Sequence, residues 1–227
     1  MKRTLVNSFI IHSRPFRETS VIYDILTNSN GLISIIAKGI KTKKDGLSMQ
    51  PFKEIQLTFT KAKLPLLTKH EVIQSYIDIN KKYMLAGLYF NELIYKFIPK
   101  NEPLPSLFDL YKNQLNYMSQ TNTKSENILF RFEYLFLKEI GYEINHVYQD
   151  KYIINKDKRY YYKFGEGFKE LDNTADPRTT ISSKSLFYLL NNNFEMIDDV
   201  ENLRFIAKNI IKENLGDKNI KSYDIID

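Results

Sequence analysis

The chain has 227 residues, 43% hydrophobic and 26% charged, an ordinary balance for a globular protein and not that of a disordered one. It has no cysteine, which excludes disulfides and thiolate-held zinc. Its net charge of +6 is uneven: residues 1–70 hold twelve Lys/Arg against four Asp/Glu, a net +8, and residues 71–227 carry −2. A basic first third joined to a slightly acidic remainder points to a polyanion-binding module followed by a region with another task.

The N-terminus is basic, but its apolar run is short and interrupted by Asn7 and Ser8, unlike a signal peptide. No stretch approaches the roughly 20 apolar residues of a membrane span. The cytoplasm is the expected location, with no membrane partner.

Residues 1–78 read as a first domain of short strands. β-prone runs occupy Leu5–His12, Ser20–Leu26, Leu32–Ala37, Ile55–Phe59 and Leu66–Ser75, separated by Arg14-Pro15, Asn28–Gly31 and Asp45-Gly46. Asn30-Gly31 is a hairpin signal, because glycine tolerates the positive φ of tight turns. Five strands in this length predict a closed barrel of the five-stranded OB-fold type, within an α+β chain.

Residues 79–144 read as a helical domain. Tyr83–Ile98 is apolar nearly all round, as in a buried helix, and Pro99 ends it. A second helix follows Pro105. A third is expected from Thr123, with Glu126 completing a capping box, and Gly141 suits the left-handed position after it. The three helices are expected to pack together and onto the barrel.

Residues 145–227 read as a small hairpin followed by helices. Lys151–Ile154 and Arg159–Phe164 form its expected arms, with at least one face of Tyr160-Tyr161-Tyr162 exposed. Helices follow at Ser183–Leu190 and Val200–Leu215, the longer capped by Asp198 or Asp199 and stopped by Gly216.

No catalytic set emerges. His12, His70 and His146 are isolated, without the spacing of a metal-binding helix, and glycine-rich phosphate loops and nucleophile elbows are missing. No cofactor or metal is expected. The strongest local signal is Ala37–Gly46, where Lys38, Lys41, Lys43 and Lys44 leave a strand between glycines. Such ammonium groups neutralise a sugar-phosphate backbone without base-specific geometry. Arg14, Arg17, Lys61 and Lys63 fall in other expected loops of the same module, and Phe16 offers a stacking face. A protein adaptor whose basic module binds an acidic protein is the alternative reading.

Several strings, in order, resemble the RecO family of recombination mediators: FIIHSRPFRET at residues 9–19, the hairpin of residues 24–39 ending in AKG, and Gln50-Pro51-Phe52. LAGLYFNELIYKFIP at residues 85–99, SLFDLY at 106–111, FRFE at 130–133 with EIGY at 139–142, and Leu215-Gly216 with Lys221-Ser222 continue the resemblance. It implies an N-terminal OB-fold, a helical middle and a C-terminal region packed on it, while the expectation of no enzymatic activity rests on the missing motifs and isolated histidines. It further implies binding and annealing of single- and double-stranded DNA in recombinational repair, near the nucleoid. The implied partners are RecR, the acidic C-terminal tail of single-strand-binding protein and, indirectly, RecA. Arg131 and Arg204 match positions implied to receive that tail. Two departures stand out: the four zinc-binding cysteines of many members are missing, and Lys-Ser-Arg near the C-terminus reads Lys221-Ser222-Tyr223.

Overall fold

The structure, a computed structural model, describes residues 3–42, 48–76, 81–144, 158–216 and 219–226. They group into two units, Met1–Thr121 with Ile220–Asp227, and Asn122–Asn219.

The first unit is built on five antiparallel strands, β1 (Arg3–Phe16), β2 (Ser20–Thr27), β3 (Gly31–Ala37), β4 (Lys53–Thr60) and β5 (Leu67–Ser75), in the order β3-β2-β1-β4-β5. Alternation decides which residues face the core. Val6, Ile10, Tyr23, Ile25, Ile33, Ile35, Ile55 and Leu57 form one buried cluster. On the opposite face Phe9 packs edge-on against Tyr111, with ring centroids 5.0 Å apart, and tilted against Phe108 at 5.2 Å. Both of those rings come from α2 (Pro105–Gln120), while α1 (Lys81–Phe97) lies against β1. Burying each such side chain contributes about 1.5–3 kcal/mol.

The sheet is open, which corrects the expected five-stranded OB-fold barrel. Its edge strands β3 and β5 form no ladder and meet only at an isolated parallel bridge, Ile36 to Leu66, where Ile36 N–H donates to Pro65 O at 2.8 Å. Extending that bridge toward Ser34 would require an N–H from position 65, and proline has none. Strand number indicated a sheet of this size but carried no information about pairing between its edges.

The second unit holds α3 (Ser125–Glu139), the three-stranded sheet β7-β6-β8 made of β6 (Arg159–Lys163), β7 (Gly167–Glu170) and β8 (Thr180–Ser182), then α4 (Ser183–Leu190) and α5 (Val200–Leu215). The three central helices are thus divided between the units: α1 and α2 group with the large sheet, and α3 packs with α5. A last short helix, α6 (Tyr223–Ile226), belongs to the first unit.

Several local expectations change. Lys124, not Thr123, occupies the cap position of α3, and it makes no side-chain cap hydrogen bond there. Asp199 stands at the cap of α5 but makes no cap bond there, because its carboxylate accepts from Ser182 N at 2.9 Å and Ser182 Oγ at 2.6 Å. Tyr160, Tyr161 and Tyr162 are all buried, since β6 is the central strand of its sheet and is covered on both faces. The expected hairpin arm Lys151–Ile154, and His146, lie outside the described residues. Gly141, at φ +89°, adopts the left-handed conformation read from the sequence.

Candidate nucleic-acid interface

Most of the basic residues singled out in the first module lie in the turns that adjoin the end of β3. Arg17 occupies the β1–β2 turn at φ +54°, with its guanidinium 5.4 Å from the Phe16 ring centroid. Lys38 and Lys41 follow β3 and are exposed. The two turns are tied together, with Lys41 N–H donating to Thr19 O at 3.2 Å and Lys41 Nζ to Arg17 O at 3.5 Å. Lys61 and Lys63 are exposed in the β4–β5 turn, which the Ile36–Pro65 hydrogen bond holds beside the end of β3. Lys43 and Lys44 lie outside the described residues. Phe16, half-buried, already carries the Arg17 guanidinium over its ring.

Arg14 is different, because it belongs to a cluster that sequence reading missed. Asp24 on β2 is wholly buried, yet its carboxylate accepts from Arg14 Nη1 at 2.9 Å and Lys100 Nζ at 2.6 Å. Ser34 Oγ donates to the same carboxylate, and His12 Nδ1 lies 3.3 Å away. Burial alone would raise the Asp24 pKa. The hydrogen bonds from Lys100 and Ser34, with the charges of Lys100 and Arg14, outweigh that and hold it below the ordinary carboxylate range.

Local structure explains how five separated residues meet. The β1–β2 register shifts between Ile10 and His12, leaving Ile11 as an extra bulged residue. Without that bulge, His12 and Arg14 would face the apolar cluster; with it, they share the face of Asp24 and Ser34. Lys100 arrives from the segment after α1, where it forms a bridge with Leu32 and Asn101 N–H donates to Leu32 O at 2.9 Å. Gly31 permits this approach, for a Cβ there would lie 1.7 Å from Glu102 O, and its φ is +66°. Tyr95 of α1 completes the cluster, its ring stacked on His12 at 4.4 Å and 5.9 Å from Lys100 Nζ.

In the second unit, Arg131 of α3 is half-exposed, with its guanidinium 6.0 Å from the Phe194 ring centroid. Arg204 of α5 is buried at 7% exposure, and its Nη2 donates to Glu133 Oε1 at 3.5 Å. The two arginines thus differ, one reaching the surface and the other committed to an internal ion pair.

Among the described residues no group of three or more His, Asp or Glu side chains could hold a metal ion, and no helix is long and apolar enough to cross a membrane. Comparison with known proteins is consistent over the whole chain. The family described as Recombination protein O N terminal matches residues 1–76, and Recombination protein O C terminal matches residues 81–212. The DNA repair protein RecO of Cellvibrio japonicus is 26% identical over 99% of this chain and 97% of its own length. Its counterpart in Haemophilus influenzae strain Rd is 29% identical over 99% and 96%, and that of Salmonella enteritidis is 26% identical over 96% and 91%.

Proposed function

The chain belongs to the RecO family of DNA repair proteins, and from that premise we propose that it is a non-enzymatic mediator that binds DNA and anneals complementary strands. In recombinational repair it acts with RecR and with the tail of single-strand-binding protein to promote RecA loading. The observation that carries the DNA-binding part is that Arg17, Lys38, Lys41, Lys61 and Lys63 lie in turns tied to the end of β3, in a module of net charge +8.

The chemistry follows from counterion release. Each ammonium or guanidinium group set against a phosphate displaces a condensed cation, so binding is strong at low salt and independent of sequence. Two strands bound near the same basic surface repel each other less, while their base edges stay free to pair. In the second unit, Arg131 beside an aromatic ring suits the carboxylates of an acidic peptide tail.

The test is charge reversal at Lys38, Lys41, Lys61 and Lys63 together, read by single-strand affinity over a salt series and by annealing of complementary oligonucleotides. The expected result is at least about a tenfold loss of affinity at low salt, with a shallower salt dependence and slower annealing. Unchanged affinity with an unchanged slope would overturn the assignment and favour an adaptor that binds an acidic protein.

A further inference from the structure

Lys38, Lys61 and Lys63 are exposed side chains, whereas the Asp24 cluster is held together by side-chain hydrogen bonds to a buried carboxylate. We propose that Asp24 organises Arg14, Lys100 and His12 into a preformed seat for one phosphodiester group of a single-stranded nucleic acid. This rests on the DNA-binding reading above and names one contact within it.

Charge makes the first argument. One cation is enough to balance the charge of a buried carboxylate, so a second leaves net positive charge beside it. Asp24 receives two permanent cations and a histidine, and the excess positive charge is not buried with it. The side chains of Arg14 and Lys100 keep 42% and 39% exposure. The cluster therefore presents net positive charge at the surface above a fixed anion that aligns it.

Donor geometry makes the second. Arg14 gives one Nη1 to Asp24, and its remaining N–H groups have no hydrogen-bond partner among the described residues. A guanidinium held on one edge presents its other donors in a planar fork, which matches two phosphate oxygens. Lys100 Nζ donates to Asp24 and to Ser34 Oγ at 2.7 Å, leaving its third hydrogen for an outside acceptor.

Preorganisation makes the third. Arg14 is aimed by the bulge at Ile11, and the Lys100 backbone is pinned to Leu32 across Gly31. Side-chain freedom that a loop lysine loses on binding has here been lost already, so each contact costs less to make. The His12–Tyr95 stack lies in the same cluster and offers an aromatic neighbour for a base attached to the seated phosphate.

The experiment uses the full chain and fluorescent octathymidylate, with anisotropy recorded over a salt series for wild type, Arg14→Gln and Lys100→Gln. Circular dichroism checks that each variant is folded. If Arg14→Gln fails to fold, Lys100→Gln, whose amide can still donate to Asp24, carries the comparison. The expected result is a loss of affinity of about five- to tenfold and a salt slope smaller by about 0.7 for each variant, the value of one single-strand phosphate contact. Lys100→Arg, which keeps the charge, should recover most of that loss. Wild-type affinity and slope in both glutamine variants would overturn the seat while leaving the loop-lysine reading intact. A wild-type chain that binds no oligonucleotide would overturn the DNA-binding reading itself.

Discussion

At the residue scale, Gly31 illustrates how one position serves two requirements. The sequence showed the first, a positive φ after Asn30. It could not show the second, that residues 100–103 press against the missing side chain, because that contact joins positions far apart in the chain. Gly31→Ala therefore carries both left-handed strain and a collision with Glu102 O, and roughly 2–4 kcal/mol of stability should be lost in urea denaturation. A loss below about 1 kcal/mol would mean that the 100–103 segment yields easily, and with it the position of Lys100. Tyr111 offers a milder case. Its ring is wholly buried and its hydroxyl donates to Asn91 Oδ1 at 2.5 Å, while burial pushes the hydroxyl pKa far above its ordinary value. Tyr111→Phe keeps the ring against Phe9 and removes only the hydrogen bond, so about 1–2 kcal/mol should be lost in the same measurement.

At the element scale, local pattern was legible and pairing was not. The five strand runs and the helices starting near Tyr83, Pro105, Ser183 and Val200 were readable, because burial on one face or all round imposes a period on neighbouring residues. The bulge at Ile11 left no such trace, yet it decides whether His12 and Arg14 face the apolar cluster or Asp24. The open edge between β3 and β5 was equally silent, since the strand runs do not say which edges pair. The loop cations could be named from the sequence, but Asp24, Ser34 and Lys100 could not, because the cluster exists only after β1, β2, β3 and the segment following α1 meet. Packing of α3 against α5 makes its own prediction through the buried Arg204–Glu133 pair. Arg204→Met alone removes the cation facing a carboxylate of 0% exposure and should cost about 3–5 kcal/mol, whereas adding Glu133→Leu should restore most of it. A double-mutant cycle in urea measures the difference, and additive losses would show that the pair is not coupled.

At the scale of the whole molecule, charge and stability are linked through a few carboxylates drawn away from solvent. Burial would raise the pKa of Asp24, Glu92 and Asp199, but in each case bound donors lower it. For Glu92 these are the Ser222 hydroxyl, the backbone N–H groups of Lys221 and Ser222, and Lys96; for Asp199 they are chiefly the hydroxyl and N–H of Ser182. A carboxyl whose pKa is lower folded than unfolded stabilises the fold above its unfolded value, about 3.9 for Asp and 4.3 for Glu. That contribution disappears as pH falls through the folded value, because protonation then breaks the same hydrogen bonds. Stability should accordingly be insensitive to these groups above about pH 5 and should fall steeply below about pH 4. Asp24→Asn should flatten part of that acid limb and lower stability at neutral pH, since a neutral amide leaves Arg14 and Lys100 beside each other without their anion. The measurement is urea denaturation at a series of pH values for wild type and variant. An acid limb of equal steepness in both would show that Asp24 titrates alike in the folded and unfolded chains, and that its cations are not held there by its charge.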